Sequence, residues 1–165
     1  MITKVFKYTS FEQALRHVLG NPDAKLIYSN MCSKTSTQLA KEFMLFAGLH
    51  KNLNFVCYHI VMSISCRNAG HVLGSCNEHL SDSQYGIMAQ RYLEEMGLLG
   101  EKMHKSQYMV ARHSARGRQD IHILVSRVRM NGTLVPEDWE TKGRSLITLR
   151  RLKNEFSLDN IDEAA

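Results

Sequence analysis

Two apolar, β-branched runs, QYMVARH and DIHILVSRVRM, flank the short stretch SARGRQ within residues 107–130. Such runs around a Gly- and Arg-containing connector specify an antiparallel hairpin. Side chains two apart on a strand share a face. Asp120 and His122 therefore point the same way, and His113 closes the first strand nearby. Three candidate metal ligands, His113, Asp120 and His122, can converge on one spot. Imidazole and carboxylate together suit Mn²⁺, Mg²⁺ or Zn²⁺, and three protein ligands leave coordination positions open for catalysis. The alternative is a satisfied core or surface pair, and spacing alone does not choose between the two.

Charge narrows the choice of ligand. The chain carries a net +5, yet residues 107–153 hold ten Lys or Arg against four acids, so the excess is concentrated around the hairpin. A local cationic surface points to a polyanionic partner. The flanking cations are Arg112, Arg116, Arg118 and Arg127, with Arg144, Arg150 and Arg151 further on. Gly117, between Arg116 and Arg118, lets backbone and guanidinium groups approach phosphates closely.

A length of 165 residues suits one domain with a core of its own. The composition, 44% hydrophobic and 22% charged, is that of an ordinary soluble globular protein. No apolar run has membrane-spanning length, and the start, MITKVFKYTSFEQ, lacks the apolar core of a signal peptide. A cytoplasmic protein without membrane insertion is expected. Cys32, Cys57, Cys66 and Cys76 then read as free thiols. Cys66 and Cys76 with His71 and His79 match no standard zinc spacing.

The remaining elements follow from periodicity and caps. A short strand over residues 2–8 leads to a helix capped by Ser10, with Gln13 as box partner and Gly20 at its end. Lys25 to Tyr28 is either a strand or an extended connector. A second helix spans about 36–49, with Leu39, Phe43, Phe46 and Ala47 as its stripe. Residues 55–65, FVCYHIVMSIS, form a central strand buried on both faces. Residues 66–79 are irregular. A third helix opens at Ser81 and ends at Gly97, with Tyr85, Met88, Tyr92 and Met96 inward. After the hairpin and an Asn131-Gly132 turn, a basic helix runs from about 144 to 156 with Leu146, Leu149, Leu152 and Phe156 inward. This order specifies an α+β domain: a mainly antiparallel central sheet, helices packed on one face, and the metal site on the other. The domain is expected over 1–158, followed by an acidic tail, 159–165.

Across residues 10–158 the chain resembles the relaxase domain of plasmid mobilisation proteins, the histidine-hydrophobe-histidine endonucleases. The resemblance is carried by FEQALRHVLGNPDAKLIYSNM, YHIVMSIS, LSDSQ with YLEEMGL, QYMVARHSARGRQDIHILVSRVRMNG and RSLITLRRLKNEFSL. It implies strand-specific nicking and rejoining of single-stranded DNA at a transfer origin, through a 5′-phosphate linked covalently to the protein. It also implies a divalent metal, Mn²⁺ or Mg²⁺, and accessory mobilisation proteins as partners. Carried over by position, His113 and His122 match metal ligands, Asp120 replaces a His, and Ala115 replaces a carboxylate. His17 stands where the family's attacking Tyr normally lies, and some relatives attack with His. Tyr8 and Tyr28 are the alternative nucleophiles. His59 on the central strand either faces the same site or is a buried structural residue. With three departures, a relaxase-like domain that binds DNA without cutting it is the alternative function.

Overall fold

The computed structural model describes residues 1–65, 80–100, 105–115, 118–140 and 142–158. Its elements follow the order β1 (Ile2–Tyr8), α1 (Phe11–Leu19), β2 (Ala24–Ser29), α2 (Ser36–Ala47), β3 (Cys57–Ser65), α3 (Asp82–Glu95), β4 (Ser106–Ala115), β5 (Arg118–Arg129) and α4 (Lys142–Glu155). The five strands form one sheet in the order β1-β3-β5-β4-β2, with every neighbouring pair antiparallel. Residues 25–28, either strand or connector by sequence, belong to a strand, β2, at one edge. The irregular stretch 66–79, Arg116, Gly117 and the tail 159–165 lie outside the described residues, as does the group Cys66, His71, Cys76 and His79. Cys32 and Cys57 are free thiols.

Local signals set the helix boundaries. The Ser10 side chain accepts from the Gln13 amide, and Thr35 does the same for Gln38. At α3 the reciprocal capping box forms between Ser81 and Gln84. Gly97, at φ 73°, takes the left-handed conformation just past α3.

The α+β class and antiparallel sheet are as expected, but helices cover both faces of the sheet rather than one. Alternation along the strands explains this. Tyr58, Ile60, Met62 and Ile64 of β3, with Ile121, Ile123 and Val125 of β5, pack against Tyr85, Met88, Tyr92, Leu149 and Leu152 of α3 and α4. Cys57, Met109, Ala111 and Leu124 face the other way and pack against Phe11, Leu15, Val18, Leu39 and Phe43 of α1 and α2. A central strand apolar on both sides needs a cover on both sides.

A second correction concerns α4. Its inward stripe runs through Thr148, Leu149 and Leu152, with Ser145 reaching Thr3 at 3.4 Å. Leu146 lies one position off that stripe and is exposed, and Phe156 is partly buried. Polar residues within an inward stripe hide it from a hydrophobicity pattern.

Phe43 is fully buried and stacks on Phe11 at 4.6 Å between ring centroids. Phe43→Ala is expected to lower the unfolding free energy by ~3–5 kcal/mol. Leu146→Ala is expected to shift it by less than about 0.5 kcal/mol. Urea denaturation of the two variants checks both values.

Candidate active site

Strand pairing places two rows of mixed side chains, five of the eight polar, across one end of the α1/α2 face. Ile2, Ser63, Asp120 and His113 form one row, and Lys4, Val61, His122 and Ala111 form the next. A third row, Phe6, His59, Leu124 and Met109, runs toward the part of the face covered by α1 and α2. The helices thus cover only part of this face. The uncovered end is a cavity of ≈ 620 Å³ lined by Ile2, Lys4, Phe6, His17, Ser63, Arg118, Asp120, His122 and Lys153, among others.

Four imidazoles meet here. The rings of His113 and His122 lie 4.0 Å apart, and those of His122 and His59 5.1 Å apart. One hydrogen bond, 2.9 Å, joins His59 Nε2 to His122 Nδ1. His17, exposed in the last turn of α1, sets its ring 5.4 Å from His59 edge-on. The fold thus brings His17 to the same cavity as the hairpin residues, although it lies far from them in sequence. His59 belongs to this cluster, and its Nδ1 is buried without a partner. Even spacing puts His59 and Ser63 on one face of β3, and the β3–β5 register makes it the face of Asp120 and His122.

The three expected metal ligands do not converge as a donor set. His113 Nε2 donates to the Val18 carbonyl at 2.6 Å, one of the carbonyls left open at the C-terminal end of α1. The Asp120 carboxylate is held on both oxygens: Ser63 Oγ donates at 2.6 Å and Arg118 Nε at 2.9 Å. Only His113 Nδ1 and His122 Nε2 remain, and among the described residues no group of three His, Cys, Asp or Glu is arranged to hold an ion.

The other expected residues divide by face. Tyr8 borders the cluster, 6.1 Å from His17 and 5.9 Å from His59 between ring centroids, and burial raises its phenol pKa. Tyr28 lies on the opposite face, against Gly86 of α3 and hydrogen-bonded to Gln90. Arg112, one residue from His113, also points to the opposite face, paired with Asp82 at 3.1 Å. Arg127 pairs with Glu137 at 2.7 Å and lies over the Phe55 ring. Arg144 donates to the Glu95 carbonyl, and Arg151 pairs with the Glu95 side chain at 3.3 Å. Arg150 is exposed on α4. Of the expected cations in the described residues, Arg118 alone lines the cavity, where Lys4 and Lys153 join it.

Electrostatics keep the inner imidazoles neutral. Burial, reinforced by the neighbouring His122, His17 and His113, pushes the His59 pKa down to about 3. Burial and His113 push His122 down to about 4, with Asp120 opposing.

Comparison with protein families matches residues 15–158 to the family described as Relaxase: MobA/VirD2-like, nuclease domain. No curated protein matches the chain.

The depressed imidazole pKa values fix the sign of a pH effect. Above the ordinary value of 6.5 both states are neutral and the stability is complete. Below it the unfolded chain takes up protons that His59 and His122 refuse until about pH 3–4, so stability falls over that window. The urea midpoint is expected to drop as pH goes from 7 to 5. Imidazole NMR signals of His59 and His122 should still be those of the neutral form at pH 5.

Proposed function

Because the chain belongs to the MobA/VirD2-like relaxase nuclease family, we propose that it nicks and rejoins one strand of DNA at a plasmid transfer origin, with His17 as the attacking group. The observation that carries this reading is the approach of His17 to the His59–His122–His113 cluster beside a cationic cavity. A neutral imidazole is a competent nucleophile toward phosphorus near neutral pH.

The step is a phosphoryl transfer from oxygen to nitrogen. A ring nitrogen of His17 attacks the phosphorus in line, and the bond to the 3′-oxygen breaks. The proton lost by the imidazole is matched by the one the 3′-oxygen gains as a hydroxyl. The 5′-phosphate stays on the protein as a phosphohistidine, and the reverse reaction rejoins the strand. The cations Arg118, Lys4 and Lys153 line the cavity where the phosphate would sit. The exposed Arg150 adds a further cation for a bound strand.

Relaxases of this family generally depend on a divalent cation, which when bound polarises the scissile phosphate. Of the residues expected to hold it, His113 and His122 each keep one ring nitrogen open, while both carboxylate oxygens of Asp120 are taken by Ser63 and Arg118. The same engagement favours a second reading, a domain that grips single-stranded origin DNA and leaves it intact.

Incubation with single-stranded origin DNA decides between them. A protein–DNA adduct on the 5′ end, resolved in denaturing gels, is the expected outcome for the native chain. His17→Ala should reduce it roughly a thousandfold or more, and Tyr28→Phe should leave it unchanged. Retained binding with no adduct under any metal would establish the second reading. An adduct that persists in His17→Ala and disappears in Tyr8→Phe would move the nucleophile to Tyr8.

A further inference from the structure

The geometry points to a substitution of charge carrier: in this chain a guanidinium, Arg118 braced on Asp120, occupies the cationic role at the hairpin, and the hairpin does not hold a divalent ion. This rests on the reading of the cavity as a phosphate site. Asp120 replaces a His in the pattern that the chain otherwise resembles. A carboxylate at that position attracts a cation, and the nearest one is on its own strand, two residues away on the same face. Arg118 Nε donates to Asp120 at 2.9 Å, and Ser63 takes the other oxygen at 2.6 Å. The carboxylate is buried while Arg118 is largely exposed, its side chain 60% accessible.

The bond uses Nε, so the two terminal amino groups of Arg118 project from a fixed base. That fork matches two phosphate oxygens. Lys4 and Lys153 line the same cavity, and Asp120 is the single carboxylate among its described lining residues. A divalent cation entering here would be opposed by the guanidinium of Arg118, which already neutralises Asp120. An anion meets no such opposition.

The test uses Mn²⁺ alone as probe, followed by calorimetry and by paramagnetic resonance of the free ion. The native chain is expected to show no saturable Mn²⁺ site up to about 1 mM. Asp120→His, which releases Arg118 and supplies a third imidazole, should gain one site at least about tenfold tighter. Binding of a single-stranded oligonucleotide should change less than about twofold between Mn²⁺ and EDTA. It should weaken by about tenfold or more in Arg118→Ala and be partly restored in Arg118→Lys. Micromolar Mn²⁺ binding by the native chain that is lost in His122→Ala would overturn the proposal. So would oligonucleotide binding indifferent to Arg118→Ala. If Asp120→His does not fold, as judged by circular dichroism, Asp120→Asn takes its place. It leaves Arg118 without its brace and should weaken oligonucleotide binding without creating a Mn²⁺ site; unchanged oligonucleotide binding would count against the proposal. These readouts are independent of cleavage, so a missing adduct would refute the nicking reading while leaving this one standing.

Discussion

One hydrogen bond ties the first helix to the hairpin: His113 Nε2 donates to the carbonyl of Val18, across 95 residues of chain. Helix C-termini leave carbonyls without partners, and an imidazole from β4 satisfies one of them. A bond of this kind contributes about 1 kcal/mol net, yet its positional effect exceeds its energy. It fixes the last turn of α1 over the sheet, and His17 is part of that turn. The imidazole that resembles a metal ligand thus acts here on the helix carrying the candidate nucleophile.

The sheet makes this arrangement possible because its two faces are used differently. Toward α3 and α4 it is apolar nearly throughout. Toward α1 and α2 it is apolar where those helices lie, and the remaining rows carry Ser63, Asp120, His113, Lys4 and His122 among apolar neighbours. Both clusters share β5, which is buried along almost its whole length. A polar row at the end of so buried a strand is desolvated from below and open above. That is why His59 and His122 resist protonation while His17 stays exposed on the helix above.

Much of this was legible from residue order. Caps at Ser10 and Ser81, the stripes of α2 and α3, and the shared face of Asp120 and His122 all follow from local chemistry that tertiary packing did not override. The helix layers were not legible, because FVCYHIVMSIS reads as buried on both faces without saying which helices cover which. Basic side chains were the least legible group. Arg112 and Arg118 look equivalent in sequence, but alternation sends Arg112 to Asp82 on the far face and Arg118 into the cavity. Arg127 and Arg144 are consumed by partners distant in sequence or supplied by backbone, which no charge count registers. The engagement of Asp120 by Ser63 needed the β3–β5 register, a property of pairing rather than of either strand.

The strand order has a further consequence. Ile2, Lys4 and Phe6 form one wall of the cavity, and they belong to β1, which among the described residues is an edge strand paired on one side only, with β3. Asp120 and His122 belong to β5, paired on both sides. Edge strands open locally at lower free energy than central ones. Amide exchange should therefore be fast along β1 and slow along β5, and the cavity has a compliant wall against a rigid floor. Entry of a strand is governed by the softest ladder in the sheet, while the side chains that receive it are held by the stiffest.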